Sequence, residues 1–413
     1  MALGAGEPVI DEPVSGWPVT GEPGIGGPTT GELATGKPPL LVLNAGSTNL
    51  KASLHGADGA CLWRRQRPWP VTGPAPPGPA RAGDHLAVDD LTSWDAEALI
   101  DWLAAALAPQ LAGDGAALAL VGHRLVHGGE RFLAPTRITA EVRLELEQLN
   151  PLAPLHNPPA LRLIDALRRR WPALEQWACF DTAFHASLPP AARTYAIPAS
   201  WRRQGLRRYG FHGLNHEHVA AEVQRRYGSE APLRLISCHL GGGCSLCAIR
   251  NGRSIATTMG FTPLEGLVMA SRSGTVDPGL LLYQLRAGLD LAELERGLLR
   301  EGGLLGLSGL SGDMAELRAA ALPPPQGQGH VGAALAIDVF RQRLLEGIGA
   351  MAACLGGVDV IALSGGIGEH DTALHRELAA ALGWLGGHPL LVIPADEEGQ
   401  IARHCWAALA AAI

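Results

Sequence analysis

Two glycine-bearing turns follow short apolar runs: Asn44-Ala-Gly-Ser-Thr-Asn49 after Leu40-Leu-Val-Leu43, and Leu240-Gly-Gly-Gly243 after Arg234-Leu-Ile-Ser-Cys-His239. Consecutive backbone N–H groups in such turns make a concavity for anions, and small residues let the backbone approach a phosphate closely. Ser47, Thr48 and Asn49 add side-chain donors to the first turn, and Lys51 adds a point charge. One such turn alone reads equally well as a plain hairpin. Of the 33 basic residues only Lys37 and Lys51 are lysines, and one of them stands beside the first turn. Two turns and that lysine point to a polyphosphate.

A polar series ends further apolar stretches: His123-Arg-Leu-Val-His127-Gly-Gly-Glu130, Pro154-Leu-His156-Asn157, Phe180-Asp-Thr-Ala-Phe-His185 and Arg207-Arg-Tyr-Gly-Phe-His212. Arg272 lies in Gly266-Leu-Val-Met-Ala-Ser-Arg-Ser-Gly-Thr-Val-Asp277, which reads as a turn. Any one of these histidines alone reads as structural. Convergent Arg, His and Asp suit phosphoryl transfer, because charge spreads over the equatorial oxygens and is stabilised by cations and donors. The metal signals are weaker. Cys244-x-x-Cys247 has no second pair nearby and alternates like a strand, and His216-Glu-His218 is not the His-Glu-x-x-His pattern. Gly31-Glu-Leu-Ala-Thr-Gly36-Lys37-Pro38 resembles a Walker A run but puts Pro38 where the magnesium-binding hydroxyl belongs.

The elements that must position these residues follow from periodicity. Strands are expected at 40–43, 50–54, 117–121, 234–240, 244–249 and 358–364, the last running into a third glycine turn, Gly365-Gly-Ile-Gly-Glu-His370. Helical spacing covers 96–111, 159–170, 290–300, 332–355 and 372–383. A strand–turn–strand unit followed by helices occurs twice, which suggests two related α/β domains facing a cleft. Residues 1–39 repeat Gly-Glu-Pro-like units without an apolar face and read as a disordered low-complexity tail.

The 413 residues exceed one hydrophobic core, so two domains are expected. A net charge of −7 without a basic stripe argues against a nucleic-acid binder. No apolar run reaches membrane-spanning length, no export signal is recognised, and seven scattered cysteines do not make a disulfide framework. The expectation is a cytoplasmic enzyme.

From about residue 40 onward the chain resembles the acetate kinase family, the acetate and propionate kinases of the sugar kinase/actin/Hsp70 superfamily. The carrying motifs are Leu41-Val-Leu-Asn-Ala-Gly-Ser-Thr-Asn-Leu-Lys51, Gly122-His-Arg-Leu-Val-His-Gly-Gly-Glu130, Leu152-Ala-Pro-Leu-His-Asn-Pro158, Phe180-Asp-Thr-Ala-Phe-His185, Arg208-Tyr-Gly-Phe-His-Gly213, Met259-Gly-Phe-Thr-Pro-Leu-Glu-Gly266 and Gly365-Gly-Ile-Gly-Glu369. The resemblance implies actin-like, ribonuclease-H-like domains and direct in-line transfer between ATP and acetate. It implies an acyl and phosphate domain at 40–183 rejoined by 397–413, and a nucleotide-binding domain at 184–396.

The same resemblance implies roles residue by residue. Asp181, His212, Arg272 and Arg124 match catalytic positions. Arg124, Val126, Leu155, Phe211, Pro263 and His156 match the acyl-substrate site. Lys51, Ser47, His239, Leu240, Gly241, Gly242, Gly243, Asp313, Met314, Ala315, Gly366, Ile367, Gly368, Glu369 and His370 match the nucleotide side. Asn44 and Glu397 match ligands of Mg2+, with Mn2+ as a substitute. A homodimer is implied, with acetate and ATP as its small-molecule partners.

Departures fall mainly on the nucleotide side. Gly242 replaces an asparagine of the family pattern, Ala315 an arginine near the adenine, Ala256 an aspartate and His370 an asparagine; Asn49 replaces a serine in the first turn. Two rival readings follow: an acyl kinase with another phosphoryl donor, and a nucleotide-binding regulatory protein without turnover.

Overall fold

The computed structural model describes residues 38–46, 49–68, 96–111, 118–154, 156–228, 233–323 and 329–411. The expected tail up to residue 37, its Walker-like run up to Lys37, and Ser47, Thr48 and Leu155 lie outside them. The described chain forms two compact units. Phe184–Asp396 make one, and the described parts of Val19–Ala183 and Glu397–Ile413 make the other.

The unit that opens the chain is built on six strands: β1 (Leu40–Ala45), β2 (Asn49–His55), β3 (Cys61–Pro68), β4 (Val121–Leu125), β5 (Thr136–Arg137) and β6 (Gln176–Phe180), in the order β3-β2-β1-β4-β6-β5. β1 pairs antiparallel with β2 and parallel with β4, which pairs parallel with β6. All six residues of β1 are buried, as a central strand covered on both faces requires. The helices Ala96–Leu111 and Asn157–Arg170 contribute Leu99, Leu103, Leu107, Leu163 and Leu167 to one core with Leu41, Leu43 and Val121. The second helix carries Pro158 and Pro159 in its first turn and ends on Arg168, Arg169 and Arg170, favourable chemistry at both termini. The helix Glu397–Ala411 returns to this unit. It lies so close to β4 that a Cβ on Gly122 would come within 2.8 Å of Ile401 and of the Cys405 thiol.

The second unit repeats the plan. Its strands are β7 (Arg234–Leu240), β8 (Cys244–Arg250), β9 (Arg253–Thr257), β10 (Val360–Ser364) and β11 (Leu390–Val392), in the order β11-β10-β7-β8-β9. Again a three-stranded antiparallel ribbon is followed by parallel strands, because β10 pairs parallel with both β7 and β11. Val219, Val223, Leu235, Ile249, Val360 and Leu391 form a core in this unit.

Two local expectations are corrected. The strand expected at 117–121 is Val121–Leu125 instead, so His123 and Arg124 lie within it. Polar residues fit there because His123 finds a buried partner in Gln176 at 2.8 Å, and β4 pairs on both edges. The glycine run expected as a turn after β10 is a short helix, Gly365–His370. Gly365 has φ +80, and a Cβ there would meet the Leu240 carbonyl oxygen at 2.7 Å. That one position needs glycine, while the rest of the run is free to coil.

Candidate functional site

In the first unit three parallel strands end side by side and deliver a polar cluster. Asn44 is next to last in β1, Arg124 lies in β4, and Asp181 directly follows β6, its N–H donating to the Leu125 carbonyl at 3.1 Å. Carboxyl ends of neighbouring parallel strands are where α/β sheets gather ligands. Arg124 grips Asp181 with two nitrogens, Nε to Oδ1 at 3.0 Å and Nη2 to Oδ2 at 2.5 Å. Its Nη1 donates to Asn44 Oδ1 at 3.1 Å. Asn44 Nδ2 donates to Glu397 Oε2 at 3.0 Å and to Glu398 Oε1 at 2.6 Å. Carboxylates only accept here and guanidinium only donates, so the amide orientation of Asn44 is fixed.

Desolvation opposes the Arg124 charge, but Asp181, Glu397 and Glu398 outweigh it and hold the guanidinium pKa above its ordinary value. Burial raises the Asp181 carboxyl, opposed by Arg124. Two of the five N–H bonds of Arg124 are not used by these three contacts, which leaves donors for an anionic oxygen. The oxygens of Asn44, Glu397 and Asp181 form a hard donor set. Among the described residues no group of three His, Cys, Asp or Glu forms a ready metal cage. One or two protein oxygens completed by water and phosphate is how Mg2+ is usually held. Glu397 offers such an oxygen, whereas Asn44 turns Nδ2 toward Glu397 and Oδ1 toward Arg124, so its amide must turn over to join the same ion.

Lys51, on β2, lies in this unit with its Nζ 3.9 Å from Glu398, whose other oxygen is 3.8 Å from Arg64. It therefore pairs with a carboxylate of the Asn44 cluster. Val126, immediately after β4, is buried. His127 accepts from the Gly129 N–H at Nδ1, and Asn157 brackets its backbone, accepting from its N–H and donating to its carbonyl. Burial lowers the pKa of both His123 and His127 to about 4, the former despite its bond to Gln176. His156 is the residue before the helix Asn157–Arg170 and makes no side-chain cap.

The second unit gathers His212, His239, Gly243, Arg272 and Pro263. The His212 and His239 rings lie 4.3 Å apart between centroids. Arg272 donates from Nη1 to the Pro263 carbonyl at 2.6 Å. A Cβ on Gly243 would meet Arg272 Nη2 at 2.8 Å and His212 Nε2 at 3.2 Å, so guanidinium and imidazole converge over bare backbone. His212 has φ 56, a left-handed conformation unusual for a non-glycine residue and typical of strained functional positions. Phe211 is fully buried, and its carbonyl accepts from His185 Nε2 at 2.9 Å.

The remaining described positions that the family resemblance assigns to the nucleotide side, Lys51 apart, share this unit. Leu240 is buried and leads into Gly241, Gly242 and Gly243 between β7 and β8. A Cβ on Gly241 would lie 3.8 Å from the Gly366 nitrogen, so the two glycine segments adjoin. In the helix Gly365–His370, Ile367 is half-buried, Gly368 buried and His370 exposed. Glu369 accepts from the N–H groups of Gly365 and Ala395, both at 2.9 Å, which ties this helix to the start of the C-terminal segment. Asp313 caps the helix Met314–Ala321 by accepting from Glu316 N–H at 3.0 Å; Met314 is buried and Ala315 exposed. Arg318 bonds Asp371 and Glu377 and joins that helix to the segment after His370. Cys244 and Cys247 are buried on β8 with thiols pushed up to about 12, mainly by burial.

Sequence reading missed several of these residues. Glu398 has no signal of its own beside Glu397, Asn157 lies in a matched motif without a role assigned to it, and Ser237 and Ser245 carry no motif signal of their own. His216 and Ser237 are joined by a hydrogen bond at 2.8 Å that no spacing rule announces.

A duplicated sheet whose strand ends carry arginine, carboxylate and histidine clusters is the build of an α/β kinase. The model of the acetokinase family matches residues 39–393. An acetate kinase of Synechococcus is 44% identical over 407 residues, covering 89% of this chain and 98% of that protein. An acetate kinase of Deinococcus radiodurans is 47% identical over 317 residues, covering 70% and 78% respectively. Among solved structures, Porphyromonas gingivalis acetate kinase aligns with a TM-score of 0.73 at 30% identity, covering 90% of this chain and all of that one. A propionate kinase from Francisella tularensis aligns with a TM-score of 0.75 at 28% identity, covering 89% and 98%. The chain belongs to the acetokinase family.

Proposed function

We propose that the protein transfers a phosphoryl group reversibly between ATP and acetate, giving acetyl phosphate and ADP. The observation that carries this reading is the pair of cationic clusters at strand ends. Arg124 is fixed by Asp181 and Asn44 in one unit, and Arg272 converges with His212 over Gly243 in the other. The names of the relatives point the same way.

In this reading Arg124 offers its remaining donors to the acetate carboxylate, and Asp181 holds its fork in place. Arg272 and His212 donate to the equatorial oxygens of the transferring group, where negative charge spreads in the transition state. Held by Glu397 and by an Asn44 amide turned to present its oxygen, Mg2+ or Mn2+ would neutralise phosphate charge. Gly241–Gly243 and Gly366 offer backbone to the nucleotide phosphates, and Asp313–Ala315 lie on its base side. Lys51 acts through Glu398 on the Asn44 cluster. Val126, buried two residues beyond Arg124, favours acetate over longer acids. A homodimer is proposed, and the helices Pro278–Arg286 and Leu291–Leu299 bury no residue of their own and expose Leu280, Leu282, Tyr283 and Leu291.

A second reading, an acyl kinase with relaxed donor choice, is favoured by the exposed methyl of Ala315 and the bare Gly242, which supply no side-chain contact to a base. Acyl-hydroxamate formation with Mg2+ tests both readings, using acetate, propionate and butyrate against ATP, GTP and pyrophosphate. Acetate with ATP is expected to give product. Product only with another donor supports the second reading, and none with any pair rejects both.

A further inference from the structure

A chain of buried hydrogen bonds runs behind His212. Its Nδ1 lies 2.9 Å from Ser245 Oγ on β8. The same hydroxyl lies 2.8 Å from Nε2 of His216, one turn along the helix Gly213–Tyr227. His216 Nδ1 lies 2.8 Å from Ser237 Oγ on β7. Ser237, His216 and Ser245 are fully buried, and His212 nearly so.

Counting protons gives the chain a direction. Burial, with His185 and His239 adding to it, drives the His216 pKa well below its usual value, so the ring carries one N–H. Each serine hydroxyl has one hydrogen to donate. Among the described residues, Nδ1 of His216 is the one hydrogen-bond partner of Ser237 Oγ. If His216 donated from Nδ1, the Ser237 hydrogen would be buried without an acceptor, the costlier arrangement. Ser237 therefore donates to Nδ1, and His216 carries its proton on Nε2. It donates to Ser245, which in turn donates to Nδ1 of His212.

We propose that Ser237, His216 and Ser245 are positioning residues that hold neutral His212 as the Nε2–H tautomer, so that it presents a donor to the transferring phosphoryl oxygen. The proposal rests on the placement of His212 in the transfer step above. Nε2 is also the ring atom that converges with Arg272 over Gly243. A lone pair there would repel an anionic oxygen, so reversing the chain reverses the sign of the contact. His185 fixes the backbone beneath the ring. Burial lowers its pKa to about 4, and its Nε2 faces the Phe211 carbonyl, which only accepts, so Nε2 bears the proton.

Long-range 1H–15N correlation on the 15N-labelled full chain reads each tautomer without substrate, with His212→Asn and His216→Asn assigning the signals. Both rings are expected as neutral Nε2–H forms near pH 7.5. Ser237→Ala, which touches no substrate, should turn His212 into a tautomer mixture. It should lower kcat about fivefold, the scale of one neutral hydrogen bond, with KM for acetate and ATP unchanged. Ser237→Thr keeps the hydroxyl and should restore both. His212 seen as Nδ1–H or as imidazolium overturns the proposal, as does a His212 signal unmoved by Ser237→Ala. If the alanine variant does not fold, the unmodified spectrum decides. That spectrum needs no turnover, so its outcome stands apart from any failure of the transfer assay.

Discussion

Arg124 and Asp181 meet fork to fork, with Nε–Oδ1 at 3.0 Å and Nη2–Oδ2 at 2.5 Å, one within β4 and the other just past the end of β6, its parallel neighbour. The aspartate side chain is 1% exposed and the arginine 12%. Such a pair does two things at once. It aims a cation, and it makes each partner depend on the other, since removing one leaves a buried charge uncompensated. Asp181→Ala should therefore cost about 3–5 kcal/mol of stability as well as activity. Arg124→Lys keeps the charge but loses the planar fork, and kcat should fall on the order of 10²-fold with a smaller change in stability. Urea titrations beside steady-state rates separate the two effects. Equal stability of Asp181→Ala and the unmodified protein would mean the pair is not formed.

Gly243 is the point over which Arg272 and His212 converge. Its φ does not demand glycine, so Gly243→Ala should fold. The new methyl at 2.8 Å from Nη2 must displace the guanidinium or the ring. A shift of that size should lower kcat on the order of 10²-fold. A normal rate in a folded Gly243→Ala protein would place the transfer chemistry elsewhere.

Acid should destabilise the protein early. The folded pKa values of His123, His127 and His185 lie near 4, lowered mainly by burial, against 6.5 for the unfolded chain. Between those values the unfolded state binds protons the folded state refuses, so stability is complete above about pH 6.5 and falls as pH drops toward 4. Each group contributes on the order of 3 kcal/mol over that window. The melting temperature should drop steeply between pH 7 and pH 5. A flat profile would show that these rings titrate freely.

Ala315 is exposed at the start of its helix, where a longer side chain has room. Nucleotide selectivity should be poor, with similar KM for ATP and GTP. Ala315→Arg should lower KM for ATP about fivefold through stacking on the base. Strong adenine preference in the unmodified protein, read by calorimetry, would reveal a contact from another residue.

The apolar face of the helix Pro278–Arg286 is the proposed dimer contact. Tyr283 is 69% exposed and Leu282 52%, unusual for side chains of this size in clusters. Tyr283→Glu with Leu282→Glu should convert the protein to a monomer in light scattering. An unchanged mass would move the interface to another surface.

Much of the architecture was legible because it is local. The apolar runs at 40–43 and 234–238 with their glycine turns announced the same motif twice, and β1 to β3 and β7 to β9 repeat it strand for strand. The strand through Arg124 lies later than apolar periodicity places it, since periodicity cannot anticipate that buried His123 is satisfied by Gln176 across the sheet. The helix at Gly365–His370 was hidden because glycines there read as a turn. Motifs single out Asn44, Arg124, Asp181 and His212 but not what orients them. Asn44 and Glu398 are 354 residues apart, and the Ser237–His216 bond links a strand to a helix. Partners of that kind are created by folding and have no spacing signature.

The proposed reaction moves the terminal phosphoryl group of ATP onto acetate. The most direct measurement is 31P NMR of the full-length protein with ATP, acetate and Mg2+. Equal amounts of acetyl phosphate and ADP should appear, and Arg124→Ala and Arg272→Ala proteins should give almost none. ATP left intact by the unmodified protein, or inorganic phosphate released directly with no acetyl phosphate even at the earliest times, would contradict the account.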